Sequence, residues 1–184
     1  MMQSGYFKGF YRSRPATPYE QGEFVMVVVQ GVALIIVNPE RNILTVEEFF
    51  DKPLLQKERG MRTVPMETVH LGETDPDVLR RMFMPQEELP GIPIPPLPGT
   101  FIDVYEVVPG QRANLYFTNT DSFVLPVPNN DNPEVGNYRW DRPEEVLSSW
   151  LRPGARDMVV DYMLLHCCPV IRQQAEQLDR FLFK

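Results

Sequence analysis

The sequence predicts a single α/β domain over residues 24–168, built around a mixed β-sheet. A β-branched run, FVMVVVQGVALIIV at 24–37, is typical of a strand buried inside such a sheet. A helix start signal lies near Asp75, and two extended segments flank PGQR at 109–112 as in an antiparallel hairpin. A chain of 184 residues is long enough for one domain with a hydrophobic core.

The segments on either side of this domain have different patterns. Residues 1–23 hold aromatic residues, Arg, Pro and Gly without periodicity, which predicts an irregular N-terminal arm. Residues 169–184 have apolar side chains at helical spacing: Ile171, Ala175, Leu178 and Leu182. They predict a C-terminal helix that packs either on its own domain or on a second copy of the chain as a homodimer contact.

The first half of the domain has the pattern of short strands and turns. NPERN at 38–42 contains turn-forming residues, and ILTVEEFF at 43–50 resumes an extended pattern. PLLQKERG at 53–60 and MRTVPMETV at 61–69 are predicted as further short strands with a tight connection at Gly60.

A helix is predicted to begin near Asp75, which can cap it, with Pro76 in the first position and Asp77 complementing the helix dipole. The apolar stripe expected to pack on the sheet consists of Val78, Leu79, Met82 and Phe83. Pro85 cannot donate to the carbonyl four residues earlier, so the helix is expected to end or kink there.

The second half begins with a proline-rich segment at 85–99, predicted as a stiff surface loop or a ligand for a proline-recognising module. TFIDVYEVV at 100–108 and ANLYFTNT at 113–120 are the predicted hairpin strands. YRW at 138–140 is predicted as a short strand, followed by a helical turn at 142–150.

A longer helix is predicted over residues 155–168, and its apolar residues indicate one buried face. Leu165 and His166 are assigned to that inner face. For His166 this predicts a partly buried, hydrogen-bonded side chain.

The charge balance excludes one class of partner. With 25 acidic and 18 basic residues, the net charge is −7, whereas a nucleic-acid polymer requires a basic surface. Nucleotide-sized ligands remain compatible, because one local cluster of Arg or Lys is enough to bind them.

The sequence also predicts a cytoplasmic protein without a membrane segment. The 24–37 run is too short to span a bilayer and is interrupted by Gln30 and Gly31. The N-terminal residues lack the apolar stretch of a signal peptide. Cys167 and Cys168 are adjacent, which favours two reduced thiols over a disulfide.

Three segments resemble the Nudix superfamily: VPMETVHLGET at 64–74, DVLRR at 77–81 and NYRWDRPEEV at 137–146. The order of sheet, loop, helix, hairpin, polar loop, strand and helix over about residues 30–168 matches the family as well. The resemblance implies an α/β/α sandwich. It also implies cleavage of nucleoside diphosphates linked to another group.

Only the first half of the family's signature motif matches this sequence. Gly72, Glu73 and Arg81 fit the motif, while Glu67 replaces its opening glycine and is expected to crowd and repel a phosphate. The positions of the three metal-binding glutamates are occupied by Met82, Pro85 and Gln86. Carboxylates at that helical spacing share one face and can hold Mg²⁺ against a diphosphate. Because only Glu73 and Gln86 remain as ligands, no metal or other cofactor is expected.

Glu73 has a second interpretation, which we favour. An ion pair between Glu73 and Arg81 would hold the loop against the helix, leaving Gly72 and Arg81 as structural residues of the motif. In that arrangement Glu73 would not be free to bind a metal.

Other carboxylates are candidates for relocated catalytic acids. Glu87 and Glu88 lie two residues beyond the expected pair, which in a continuous helix is a rotation of about 200°. A bulge at Pro85 would return them to the site; otherwise they are solvated charges. Glu134, before the last strand, is a candidate general base or simply an exposed loop residue.

Two functions follow from these residues. The first is a Nudix-like protein with a degenerate metal site that binds a nucleotide-like ligand or a partner. The second is a divergent hydrolase that uses Mg²⁺ or Mn²⁺ through Glu73 with Glu87, Glu88 or Glu134. In either case, the candidate residues for pairing with phosphates are Lys57, Arg59, Arg62 and Arg139.

Overall fold

The structure, a computed structural model, describes residues 29–127 and 134–166. The predicted arm at 1–23, the start of the 24–37 run and the predicted C-terminal helix at 169–184 lie outside these residues. The homodimer contact assigned to that helix therefore stays a prediction.

One sheet contains the strands of the described residues: β1 (Val29–Val37), β2 (Ile43–Glu48), β3 (Arg62–Thr63), β4 (Met66–Thr68), β5 (Thr100–Val108), β6 (Gln111–Asn119) and β7 (Val135–Asp141). The helices are α1 (Asp75–Arg81), α2 (Pro143–Ser148) and α3 (Ala155–His166). In the described part of the chain, no helix is long and apolar enough to cross a membrane.

The sheet is mixed, as predicted, because β1 has partners of both directions. It runs parallel to β6, from Val29 opposite Gln111 to the end of both strands, and antiparallel to β4 on its other side. Strands β5 and β6 form the predicted antiparallel hairpin. Strand β2 meets β1 only near the turn and then pairs with β3 and β7.

Strand β1 is apolar on both faces because helices cover both faces of the sheet. One face of β1 packs with α2 and α3 through Ala33, Ile35 and Val37. The opposite face packs with α1 through Val32, Leu34 and Ile36. This explains the continuous apolar run in the sequence and confirms the α/β/α sandwich.

Helix α1 begins one residue earlier than expected. Its N-cap is Thr74, whose backbone N–H donates to the Asp77 carboxylate at 3.0 Å. Asp75 is instead tied to β6, accepting hydrogen bonds from the Tyr116 hydroxyl at 2.8 Å and from Asn114 at 2.6 Å. Burial of the helix's apolar stripe is confirmed for Val78, Leu79, Met82 and Phe83.

Helix α1 ends at Arg81, four residues before Pro85. The chain then folds back on itself, and the backbone N–H of Leu89 donates to the Met82 carbonyl at 2.7 Å. Residues 82–89, called the reversal below, therefore do not continue the helix. The predicted helical face with Met82, Pro85 and Gln86 in register does not form.

Two local predictions were wrong. Residues 53–60 do not form a strand: Pro53–Leu55 is a 3₁₀ turn, closed by Gln56 in a left-handed conformation, φ 48°. Leu165 and His166 are exposed rather than inward-facing. The His166 ring lies on Phe117, with ring centroids 4.2 Å apart, at the end of the described part of α3.

Candidate functional site

A pocket of about 390 Å³ opens between β4, the start of β6, β7 and the reversal. Its charged lining carries both signs: Lys52, Lys57, Glu67, Arg81, Glu87, Glu88, Arg112, Glu134 and Arg152. Gly31 of β1 also lines it, and a side chain there would meet the Glu67 carbonyl at 3.2 Å. The glycine thus allows β4 to approach β1 closely.

Arg81 is the centre of the acidic side of this pocket. Its Nε donates to Glu73 Oε1 at 2.9 Å, which confirms the predicted ion pair between loop and helix. Its Nη2 donates to the Thr68 carbonyl at 2.7 Å, and Nη1 lies 3.4 Å from Glu67 and 3.3 Å from Glu87. One guanidinium therefore contacts three carboxylates.

Glu73 is held in place from two directions. Besides Arg81, it accepts the backbone N–H of His70 at 2.8 Å across a turn in which Gly72 has a φ of +87°. The hydrogen bond from Arg81 lowers the pKa of the Glu73 carboxyl. Gly72 and Arg81 thus hold the loop as their structural interpretation predicts.

The reversal brings Glu87 back toward α1, where it faces Glu67 across Arg81. Burial raises the pKa of the Glu67 carboxyl, and the nearby negative charge of Glu87 adds to that effect. Glu67 was expected only to repel phosphate. In the fold it belongs to the same acidic cluster as Glu73 and Glu87, and this acidic cluster carries more negative than positive charge.

Glu88 is buried, so its interpretation as a solvated charge was wrong. Its carboxylate accepts the backbone N–H of Met66 at 2.7 Å, and Tyr138 donates to its carbonyl at 2.7 Å. Burial raises the pKa of Glu88 well above its ordinary value. The reversal is the cause, because it points this side chain at β4.

Replacement of Glu88 by Gln is expected to stabilise the protein more at pH 8 than at pH 4. The folded-state pKa of Glu88 lies above its ordinary value of 4.5. Above that pH the folded state therefore binds more protons than the unfolded state does. The wild type therefore loses stability as pH rises from about 4.5 toward the folded pKa. Gln keeps an acceptor for Met66 and cannot ionise. Melting temperatures of the wild type and the Gln variant across this pH range check the result, with the exposed Glu144→Gln as control. A difference in melting temperature that does not depend on pH would contradict it.

The opposite side of the pocket is basic and buried. Glu48 is 2% exposed and accepts from Lys57 Nζ at 3.2 Å, while Arg152 Nη1 lies 3.5 Å from the same carboxylate. We call Lys57, Arg152 and Glu48 the floor cluster. Burial lowers the pKa of Arg152.

Of the four predicted phosphate-pairing residues, Lys57 alone lines the pocket. Arg62 is buried elsewhere, donating through Nε to the Thr45 hydroxyl at 3.1 Å. Arg59 is exposed, and exposed Arg139 pairs with Asp141 at 3.4 Å. Arg112 and Arg152 also line the pocket, and no motif in the sequence indicated this position for either of them.

Glu134, the candidate general base, lies at the rim. Its carboxylate is 2.6 Å from Lys52 Nζ, and both side chains are more than one-third exposed. Both residues line the pocket, so the candidates Glu87, Glu88 and Glu134 are brought to one site, with Glu73 behind Arg81.

Comparisons by structure give a consistent result. No family model and no curated protein matches the chain. The Escherichia coli ORF135 protein matches with a TM-score of 0.54 at 19% identity, over 77% of this chain and 93% of that one. A MutT protein from Methanosarcina mazei Go1 matches with a TM-score of 0.51 at 17% identity, over 85% and 96%. The NUDIX domain of Shewanella oneidensis NrtR, complexed with ADP ribose, matches with a TM-score of 0.55 at 12% identity, over 72% and 84%.

The chain has the Nudix fold. The similarity spans most of the length of each of these proteins, in agreement with the resemblance seen in the sequence. At these identities the likeness concerns the fold, so ligands and chemistry have to be argued from the residues of the pocket.

The metal site implied by the Nudix resemblance does not fit the residues present. Met82 is fully buried in the core, and Pro85 and Gln86 lie in the reversal, beyond the end of α1. The carboxylates of the acidic cluster already share Arg81. Within residues 29–127 and 134–166, no three His, Cys, Asp or Glu side chains are grouped so that they could hold a metal ion. Mg²⁺ prefers several oxygen ligands in octahedral geometry, and this donor set does not offer them.

Proposed function

We propose that this Nudix-fold protein binds a small nucleotide-like ligand in its charged pocket without efficient metal-dependent hydrolysis. The proposal rests on one observation: the carboxylates of Glu73, Glu67 and Glu87 all pair with the guanidinium of Arg81. Carboxylates that already pair with Arg81 are less available as ligands for a divalent cation, whereas the rest of the pocket stays available to a ligand.

The size and chemistry of the pocket support a ligand of this class. Its volume of about 390 Å³ falls within the range of about 300–1,000 Å³ that is usual for small-molecule sites. Its lining offers Arg112 and Lys57 for anionic groups and Gln111 and Thr68 for hydrogen bonds. A polar, partly anionic molecule is complementary to such walls.

The test is a panel of nucleoside diphosphate derivatives, including ADP ribose because a protein of the same fold was crystallised with it. Binding is measured by calorimetry, and hydrolysis by phosphorus NMR in the presence of Mg²⁺ or Mn²⁺. We expect saturable binding of at least one compound and no accumulation of product. Arg112→Ala should weaken binding, whereas Arg139→Ala, outside the pocket, should not. A panel without any binder would refute the proposal.

Millimolar Mg²⁺ is expected to change the melting temperature no more than NaCl of equal ionic strength does. A ligand that binds the folded state stabilises it in proportion to the logarithm of its concentration over Kd, so a weak site gives no ion-specific shift. Thermal unfolding in the two salts makes the comparison. A saturable increase specific to Mg²⁺, abolished in Glu87→Gln, would contradict the expectation.

A second candidate is a divergent hydrolase, favoured by the position of Glu87. The reversal brings it within 3.3 Å of Arg81, beside Glu67 and Glu73. Turnover with Mg²⁺ or Mn²⁺ that is lost in both Glu73→Gln and Glu87→Gln would establish this candidate. Loss in Glu134→Gln as well would identify Glu134 as the base.

A further inference from the structure

The floor cluster contains more positive charge than its single carboxylate balances. Lys57 Nζ lies 3.0 Å from Glu48 Oε1, and Arg152 Nη1 lies 3.5 Å from the same oxygen. The side chains of Lys57, Arg152 and Glu48 are only 10%, 6% and 3% exposed. Two buried cations therefore share one anion in direct contact, and the buried Glu88 carboxyl also lies close enough to interact with the charges of both.

Backbone hydrogen bonds fix both sides of the floor cluster. The N–H of Arg152 donates to the Arg62 carbonyl at 2.9 Å, and the N–H of Arg62 donates to the Trp150 carbonyl at 2.8 Å. Glu48 is held through its own N–H, which donates to Met61 at 2.8 Å. Lys57 is held through its own N–H, which donates to the Lys52 carbonyl at 3.2 Å, so backbone hydrogen bonds position both cations before a ligand binds.

One donor of the floor cluster lacks an acceptor. Arg152 Nε is buried and has no hydrogen-bond partner among the described residues, although Arg152 lines the pocket. Buried N–H groups are rarely left unpaired, because the loss of hydration is then not compensated. An acceptor supplied from the pocket would satisfy this donor.

We propose that Lys57 and Arg152 form an oxyanion subsite that takes a phosphate group of the bound ligand. The inference rests on the proposed function and adds the orientation of the ligand in the pocket. A guanidinium is planar and can donate two parallel hydrogen bonds to a phosphate, and Lys57 adds a second charge. The acidic cluster around Arg81 repels the same group, so the phosphate lies at the floor cluster and away from α1.

The closing experiment titrates the wild-type protein with inorganic phosphate and with pyrophosphate at ionic strength kept constant by NaCl. The arginine Nε–H signals are followed by proton–nitrogen NMR and assigned through the side-chain carbons, so no variant is needed for this step. We expect a saturable shift of the Arg152 Nε–H signal. A signal that does not move with phosphate or pyrophosphate would overturn the subsite.

Matched variants add a second readout. Lys57→Met should raise the Kd for phosphate at least about tenfold, as expected for loss of a charge-assisted hydrogen bond. Arg139→Ala removes an exposed arginine outside the pocket and should leave the Kd unchanged. Equal weakening by both variants would show a nonspecific charge effect and refute the subsite. An acetate arm tests the class of anion: saturation of the Arg152 signal by acetate as tightly as by phosphate would refute the assignment to phosphate.

The same variants separate this inference from the proposed function. If no nucleotide derivative binds, but phosphate shifts the Arg152 Nε–H signal and its Kd depends on Lys57, the subsite stands and the proposal of a nucleotide-like ligand is wrong. If nucleotide derivatives bind equally well to the wild type and to Lys57→Met, the pocket function stands and the phosphate subsite is wrong.

Discussion

Replacement of Glu48 by Ala is expected to reduce the free energy of unfolding by about 3–5 kcal/mol, the usual cost of removing one partner from a buried ion pair. Lys57 and Arg152 would remain buried without their shared carboxylate, and burial already lowers the pKa of Arg152. Urea unfolding at pH 7 measures the change.

The matched control is Glu134→Ala, which removes an ion pair of shorter distance but greater exposure. Its contact with Lys52 is 2.6 Å, and the two side chains are 47% and 38% exposed. Exposed pairs contribute up to about 1 kcal/mol, so this variant should be close to the wild type. Similar unfolding midpoints for the two variants would mean that the charges of the floor cluster are solvated rather than buried.

The second large effect is expected in α1. Leu79→Ala should destabilise the protein by about 2–5 kcal/mol and Phe83→Ala by about 3–5 kcal/mol, because each leaves a cavity between the helix and the sheet. Leu79 is fully buried and Phe83 is 6% exposed.

Arg80→Ala is the control on the same helix. The Arg80 side chain is 59% exposed and pairs with Asp77 at 3.6 Å, a surface contact between residues three apart. Its loss should cost no more than about 0.5 kcal/mol. Equal unfolding midpoints for Leu79→Ala, Phe83→Ala and Arg80→Ala would mean that the buried face of α1 has been assigned wrongly.

The sequence predicted those parts of the fold in which one local pattern has one structural solution. The 24–37 run is apolar at every position from Val32 to Val37, which indicates a strand covered on both faces. Val78, Leu79, Met82 and Phe83 repeat at helical spacing and are buried together. Two extended segments on either side of PGQR predicted the hairpin. In β1 and α1 the positions that are apolar in the sequence are the positions that are buried in the fold.

The reversal was not predictable from periodicity. The helix was expected to end or kink at Pro85, and Glu87 and Glu88 were placed on its far face unless a bulge at Pro85 returned them to the site. The helix instead ends at Arg81, and the bond from Leu89 to Met82 turns the chain back. Helix ends are set by which tertiary contacts satisfy the last carbonyls, and such contacts leave only a weak signal in the local sequence.

The site was predictable where its partners are close in sequence. Glu73 and Arg81 are eight residues apart, so a loop–helix ion pair was a natural expectation. Glu48 and Arg152 are 104 residues apart, and neither belongs to a recognisable motif. A pairing of this kind depends on strand order and register, which a single sequence does not encode locally.

The parallel pairing of β1 with β6 has a consequence for how the chain folds. Val29 faces Gln111 and Val37 faces Asn119, so the central strand acquires this neighbour only after most of the chain has been synthesised. Contacts between residues so far apart in sequence slow folding, because loop closure precedes any gain from pairing. Until then β1 can pair with β2 and β4, but its edge toward β6 stays open along an apolar strand with no charged residue from Val29 to Val37, a segment prone to intermolecular association. Yield from a nascent or refolding chain should therefore depend on protein concentration and on chaperones far more than the stability of the finished sheet would indicate.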